Sequence, residues 1–327
     1  MIAPALQMTG VVKRYGRIRA LDGLDLTVPQ GSIFGLVGSN GAGKTTAMAV
    51  AAGLLEPADG EVAVLGDGPF RAERHAGRIA LLPQDSRFPP HARVDALLRF
   101  YGELQGLRGR ELRQSMDGLL EWVHLQDRRQ SAVRTLSHGM NRRLAIAQAF
   151  LGSPALVLLD EPLNGLDPRE AARMREMIRE RRGRQTIVIS SHNLADIEAL
   201  CDTVAFIERG RRLRQDTVDT ITGRRHSLIY VLARPAAPLA ALAAAMPEVA
   251  WELSPDGTEL SVTFTEAATP ESVNAQALPL LIREGVGILE VKRGSDLETE
   301  YLRIHPSAAS DRPPPLSGDS IEPTIQE

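Results

Sequence analysis

Hydrophobic positions in this chain follow two rhythms. Short, unbroken, branched runs at Ile33–Val37, Ala155–Leu159 and Thr186–Ile189 suit strands covered on both faces, because a strand with one wet face alternates apolar and polar residues. Elsewhere apolar residues recur at helical spacing, over Lys44–Leu55, Asp95–Leu107, Glu111–Val123, Leu136–Leu151 and Arg169–Arg182. Strands alternating with helices predict an α/β fold with a largely parallel sheet. Between Gln84 and Leu136 the strand signals stop. The pattern there predicts a helical subdomain, about residues 85–150, inserted into a core spanning 1–224.

After about Arg225 the pattern changes. Strand-like His226–Leu232, an Ala/Leu-rich helical Pro238–Met246, strands at Val249–Leu253 and Leu260–Phe264, a helix over Glu271–Glu284 and a strand at Gly287–Val291 follow. The order β-α-β-β-α-β predicts a small ferredoxin-like α+β module over 225–304. It ends in a short amphipathic piece, Leu297–Ile304. The tail 305–327, rich in Pro, Ser and acids, has too little apolar surface to fold and is expected to be disordered. No internal repeat is visible.

Composition narrows the function. The net charge of −3 supplies no broad basic field, so nucleic acid is not an expected partner. The single cysteine, Cys201, excludes an intrachain disulfide and a multi-cysteine metal site. No window of about 18 apolar residues is present, so any membrane role requires a separate spanning partner. The opening MIAPALQMTGVVKRYG lacks the basic-then-apolar layout of a signal peptide, and a cytoplasmic location is expected. Basic residues are nearly all arginine, which makes Lys44 conspicuous among the lysines Lys13, Lys44 and Lys292.

Lys44 lies in GSNGAGKT, Gly38–Thr45, directly after the buried run Ile33–Val37 and at the start of a helix. That context turns G-x-x-x-x-G-K-[ST] into a phosphate loop. Gly38, Gly41 and Gly43 let backbone N–H groups curl around phosphate oxygens. Lys44 brings a compact positive charge to the β- and γ-phosphates, and the Thr45 hydroxyl is a Mg²⁺ ligand candidate. Ser39, Asn40, Ala42 and Thr46 complete the nucleotide-binding stretch.

ALVLLDE, Ala155–Glu161, is an apolar strand ending in two acids. Acids at a buried strand end are unfavourable unless paired. Mg²⁺ beside a triphosphate would pair Asp160, and Glu161 is the candidate general base for an attacking water. His192 follows the buried run Thr186–Ile189, at the edge where open α/β sheets bind ligands. In TLSHGMNRRLAIAQAF, Thr135–Phe150, a serine and a glycine open a helix, where free N–H groups make an anion site.

Over about residues 6–220 these motifs, in this order, resemble the ATP-binding cassette (ABC) ATPases. Gly38–Thr45 is similar to their Walker A motif and Leu156–Glu161 to Walker B with its catalytic glutamate. Gln84, in LLPQD, is similar to the Q-loop glutamine, Leu136–Met140 to the signature, Asn164–Asp167 to the D-loop, and His192 to the switch histidine. Tyr15, in KRYG, is similar to the aromatic residue that stacks on adenine. The signature departs from Leu-Ser-Gly-Gly-Gln by carrying His138 and Met140. His138 either alters local packing or faces solvent.

The resemblance implies a P-loop NTPase core that binds and hydrolyses ATP with Mg²⁺, with Lys44, Glu161 and His192 catalytic and Thr45, Gln84 and Asp160 around the metal. It implies that two cassettes, most simply two copies of this chain, pair head to tail. Ser137 and Gly139 of one would then hold the γ-phosphate bound by the other, with Asp167 near the dimer axis. A groove at about residues 84–110 is implied to receive a helix of a separate membrane permease, with Gln84 reporting nucleotide state to it and the cassette lying on the inner face of the membrane. The short separation of Lys44 and Asp160 and the single cassette set this chain apart from chromosome-maintenance and two-cassette translation relatives. LETEYLRIHP resembles the tail of cassettes from two-component drug or polysaccharide-type exporters, which implies export. A non-transport ATP-switched module acting on a soluble complex is the alternative. Residues 225–304 either reinforce a dimer, gate the ATPase or cap the core.

Overall fold

The computed structural model describes residues 3–224, 226–235, 239–265 and 267–304. The expected disordered tail lies outside the described residues. Strands β1 (Leu6–Tyr15), β2 (Ile18–Val28) and β3 (Ile33–Val37) precede helix α1 (Lys44–Ala51). Then come β4 (Asp59–Val64), α2 (Ala72–His75) and β5 (Ile79–Leu82), followed by the helices α3 (Val94–Leu104), α4 (Gly109–Trp122) and α5 (His138–Ala149). The main body continues with β6 (Leu156–Asp160), α6 (Pro168–Arg179), β7 (Thr186–Ser191), α7 (Leu194–Leu200), β8 (Thr203–Glu208), β9 (Arg211–Thr217) and α8 (Val218–Thr222). The remainder is β10 (Ser227–Leu232), α9 (Leu239–Ala245), β11 (Ala250–Leu253), β12 (Glu259–Thr263), α10 (Pro270–Arg283), β13 (Ile288–Arg293) and α11 (Leu297–Ile304).

A six-stranded sheet in the order β5-β6-β7-β3-β8-β9 forms the centre. Its pairs are parallel except β8 with β9. The unbroken apolar runs have the expected cause, since both faces are covered. Phe34, Leu36, Leu156 and Leu158 pack into one core with α1 and the N-terminal strands. Ile33, Val37, Val157 and Leu159 point the other way, into a core shared with α3, α4, α5, α6 and α7.

A three-stranded antiparallel sheet, β2-β1-β4, was not among the sequence expectations. The registers of β1 with β2 and with β4 shift after Met8 and Thr9, around Gly10. Such bulges interrupt the period-two pattern by which a half-buried strand is read. The helix expected over Leu136–Leu151 starts later, at His138, because Ser137 is its N-cap and accepts a hydrogen bond from the Met140 N–H.

In the C-terminal part, β10–α9–β11–β12–α10–β13 form an antiparallel sheet in the order β11-β12-β10-β13. This is the split β-α-β arrangement. Leu260, Val262 and Phe264 are buried together beneath α9 and α10 with Tyr230. The Tyr230 hydroxyl donates to Asn274 Oδ1 at 2.9 Å, and burial raises its pKa to about 12.

The chain then turns back. Helix α11 packs on α7 and α8. Leu297 is fully buried in the main-body core, and Tyr301 lies 5.4 Å from the Phe206 ring. The Glu198 carboxylate of α7 accepts from the Leu297 N–H at 2.8 Å and pairs with Arg224. Replacing Leu297 by alanine is expected to destabilise the protein by about 2–5 kcal/mol, the range for a buried leucine. Denaturant unfolding reads this directly, and an unchanged midpoint would show that α11 is not anchored there. Cys201 is buried, and burial pushes its thiol pKa far up, as befits a small core residue rather than a nucleophile.

Candidate active site

The candidate residues gather because β6, β7 and β3 are adjacent and parallel, so their C-terminal ends share one edge of the sheet. The loop Gly38–Gly43 leaves β3, Asp160 ends β6 with Glu161 next, and Ser190 and Ser191 end β7 with His192 next. Asp160 sits directly across from Ser190 in the ladder, and Val37 across from Ser191.

Two glycines of the loop are required by space. A Cβ on Gly38 would lie 2.3 Å from the Ile207 carbonyl oxygen. Gly43, at φ 108, is the left-handed N-cap of α1, and a Cβ there would meet the Ala20 oxygen at 2.6 Å. The loop therefore turns straight into α1 and borders a cleft of about 420 Å³. Asn40, Gly41, Ala42, Gly43, Lys44, Thr45 and Thr46 line it, with Gln84 and Glu161 opposite.

Lys44 is buried, and its Nζ donates to the carbonyls of Gly38 at 2.7 Å and Ser39 at 3.2 Å. It also stands 3.7 Å from Glu161 Oε1. The other Glu161 oxygen, Oε2, lies 3.0 Å from Nδ1 of the half-exposed His192. The Thr45 hydroxyl donates to Asp160 Oδ2 at 2.7 Å, and Ser190 Oγ donates to Oδ1. Asp160 and Glu161, adjacent in sequence, thus serve different partners, Asp160 the Thr45 side and Glu161 the Lys44–His192 side.

Glu161 is nearly buried and has φ 46, a left-handed backbone. In a residue other than glycine such a conformation costs about 1–3 kcal/mol and persists only where the surroundings dictate it. Here both sides of the residue are held. The Glu161 N–H donates to Ser190 Oγ at 2.8 Å, and its carbonyl accepts from Arg142 Nη2 at 2.5 Å. Arg142 is itself buried. Burial lowers its pKa, and the carboxylates of Asp160, Asp85 and Glu161 oppose that shift.

Lys44, Thr45, Asp160, Glu161, His192 and the Gln84 segment come together in one site. Ser137, Gly139 and Asp167 do not line the cleft. Ser137 caps α5, and Asp167 caps α6 by accepting from the Arg169 and Glu170 N–H groups, each at 3.0 Å. A Cβ on Gly139 would touch Glu170 at 3.1 Å. His138 is exposed, and a Cβ on Gly165 would lie 3.6 Å from its Nε2. Tyr15 is 48 % exposed at the end of β1, beneath the Lys13 ammonium at 5.8 Å. It does not line the cleft, where Ala20 stands instead.

Ser190, Arg142 and Ala20 were missed in the sequence reading. Arg142 had a legible signal. It falls at helical spacing with Ala145, Ile146 and Ala149, all buried, so an arginine occupies the apolar face of its helix. Ser190, a hydroxyl closing a buried strand, gave a weaker one. Ala20 gave none.

Comparison with known proteins decides the family. Residues 21–164 match the ABC transporter family model. A Nod factor export ATP-binding protein I of Rhizobium meliloti is 33% identical over 307 residues, covering 92% of this chain and 88% of that protein. The chain belongs to the ABC transporter family. It is the ATP-binding subunit, an ATPase whose hydrolysis is coupled to transport, in a family whose ATP-binding subunits work with a transmembrane partner. The daunorubicin resistance ATP-binding protein DrrA3 of Streptomyces coeruleorubidus is 35% identical over 270 residues, covering 81% of this chain and 85% of that one. A solved ATP-binding subunit of an ABC transporter aligns with this ABC subunit at TM-score 0.60 and 28% identity, over 67% of this chain and 92% of that one. Among the described residues no helix is long and apolar enough to cross a membrane.

Proposed function

We propose that this subunit binds MgATP in the Gly38–Thr46 cleft and hydrolyses it between two paired cassettes to power export through a separate membrane permease. The observation that carries this is the convergence of Lys44, Thr45, Asp160, Glu161 and His192 on one sheet edge. Lys44 and the loop N–H groups hold the β- and γ-phosphates. Glu161 takes a proton from the attacking water, and His192, already within hydrogen-bond reach of that carboxylate, contacts the γ-phosphate. The Thr45 hydroxyl and the Asp160 carboxylate offer two hard oxygens, which fits Mg²⁺, an ion that takes few protein ligands and shares the rest with phosphates and water. Mg²⁺ would neutralise charge on the phosphates there, and Gln84 is the further candidate near it.

Ser137 and Gly139 stand at the start of α5 away from the chain's own cleft, which supports their use on the nucleotide of a second cassette. Two-fold pairing then makes two equivalent sites. Asp167, capping α6 beside the Asn164–Leu166 turn, is placed by this reading near the axis. Tyr15 is exposed and available to stack on adenine. Helix α3 carries Phe100 and Leu104 exposed one turn apart, next to the loop after Gln84, and this supports the 84–110 region as the permease contact. The subunit would then lie on the inner face of the membrane. Relatives named for Nod factor export and daunorubicin resistance support export over the soluble-remodelling alternative.

The pairing has a direct test. Specific ATPase activity is expected to rise with protein concentration where dimers are sparse, then level off. Activity strictly proportional to protein down to monomer would remove the composite site.

A further inference from the structure

The guanidinium of Arg142 reaches two separate segments of the site, the Gln84 loop and the turn Asp160–Pro162. Its Nε donates to the Pro162 carbonyl at 2.9 Å, Nη1 to the Gln84 carbonyl at 3.1 Å, and Nη2 to the carbonyls of Asp160 at 3.3 Å and Glu161 at 2.5 Å. All of these acceptors are backbone oxygens. The side chain therefore grips the path of the chain rather than the reacting groups. It does so from α5, the helix that Ser137 opens.

We propose that Arg142 is a positioning residue that locks Glu161 in its left-handed, hydrolysis-ready conformation and ties that lock to the Gln84 loop and the signature helix. This rests on the reading of Glu161 as general base. The physical case has three parts. First, Glu161 is at φ 46; Ser190 holds its N–H, and its carbonyl accepts from the Asn164 N–H at 3.2 Å and, as the one side-chain donor among the described residues, from Arg142. Second, a planar fork with five donors can serve several carbonyls of fixed relative position at once, whereas an ammonium presents a single point. Third, a buried charge with no carboxylate in direct contact is stable only while its carbonyl partners stay in place. Movement of the Gln84 loop or of α5 thus has to be felt at Glu161. Ser137 faces the nucleotide of the other cassette in the proposed pair, so Arg142 also joins the two composite sites. Occupancy of one is transmitted through α5 to the base of the other.

The test uses the full chain with Arg142→Gln and Arg142→Lys. For Arg142→Gln, kcat is expected to fall roughly 10²-fold, the scale of a small misplacement of a reacting group, with KM for ATP unchanged. Arg142→Lys, keeping charge but not the fork, recovers part of kcat. Amide hydrogen exchange is expected to quicken in residues 83–86 and 160–163 and to stay unchanged in α10, and the Hill slope for ATP falls toward 1. Parental kcat in both variants, or unaltered exchange in both loops, overturns the proposal. Uniformly faster exchange, α10 included, assigns Arg142 to general stability and overturns it too. If Arg142→Gln does not fold, Arg142→Lys carries the same readouts. Should Glu161→Gln hydrolyse ATP at the parental rate, the base assignment fails, while the exchange data still decide whether Arg142 clamps the loops.

Discussion

Glu161→Gln is expected to bind MgATP like the parent and to hydrolyse it about 10²–10⁴ times more slowly, the usual loss on removing a general base. The substitution keeps the side-chain volume in a nearly buried position and retains a hydrogen-bonding partner for His192. It removes the negative charge beside Lys44. Nucleotide binding depends on the loop and on Lys44, neither of which changes. Phosphate release at steady state gives the rate, and titration with a fluorescent ATP analogue gives the affinity. Parental turnover in this variant would transfer the base role elsewhere.

Lys44→Ala is expected to fail at an earlier step. Lys44 is the buried cation of the cleft, and its two carbonyl bonds also tie the loop to itself through Gly38 and Ser39. Its removal takes away the positive charge aimed at the phosphates and frees the loop. A fall of about 10²–10³ in kcat/KM, the effect of deleting one preorganised donor to developing negative charge, is the minimum expected. Affinity for the analogue falls as well, which separates this variant from Glu161→Gln. Lys44→Arg does not restore activity, because a wide planar fork does not replace a compact ammonium in a loop closed around it. Parental kcat/KM in Lys44→Ala would show that phosphate is held by backbone alone.

The sheet was legible where burial is complete. Ile33–Val37 is an unbroken apolar run, and β3 has those same bounds. It was illegible where bulges disturb the alternation, as in β1, whose register breaks around Gly10. Lys44 could be singled out by the glycine-rich loop that precedes its helix, and Asp160 and Glu161 because they close a buried strand where charge demands a partner. Their mutual distances could not, since these depend on β6 lying beside β7 and β7 beside β3. Nor could the left-handed turn at Glu161, which residue preference disfavours and which bonds from Ser190, Arg142 and the nearby Asn164 N–H hold. Motif position singles out Tyr15 for adenine, and the β1–β2 turn leaves its ring exposed beside Lys13.

Helix α11 makes the order of synthesis differ from the order of packing. A ribosome delivers Phe206, in β8, well before Tyr301 and Leu297, the residues that close over that part of the interior. The nascent chain therefore carries an open apolar seam while the β10–β13 segment is still being made. Exposed surface of this kind is what chaperones and proteases recognise. The return of α11 is what shuts that seam.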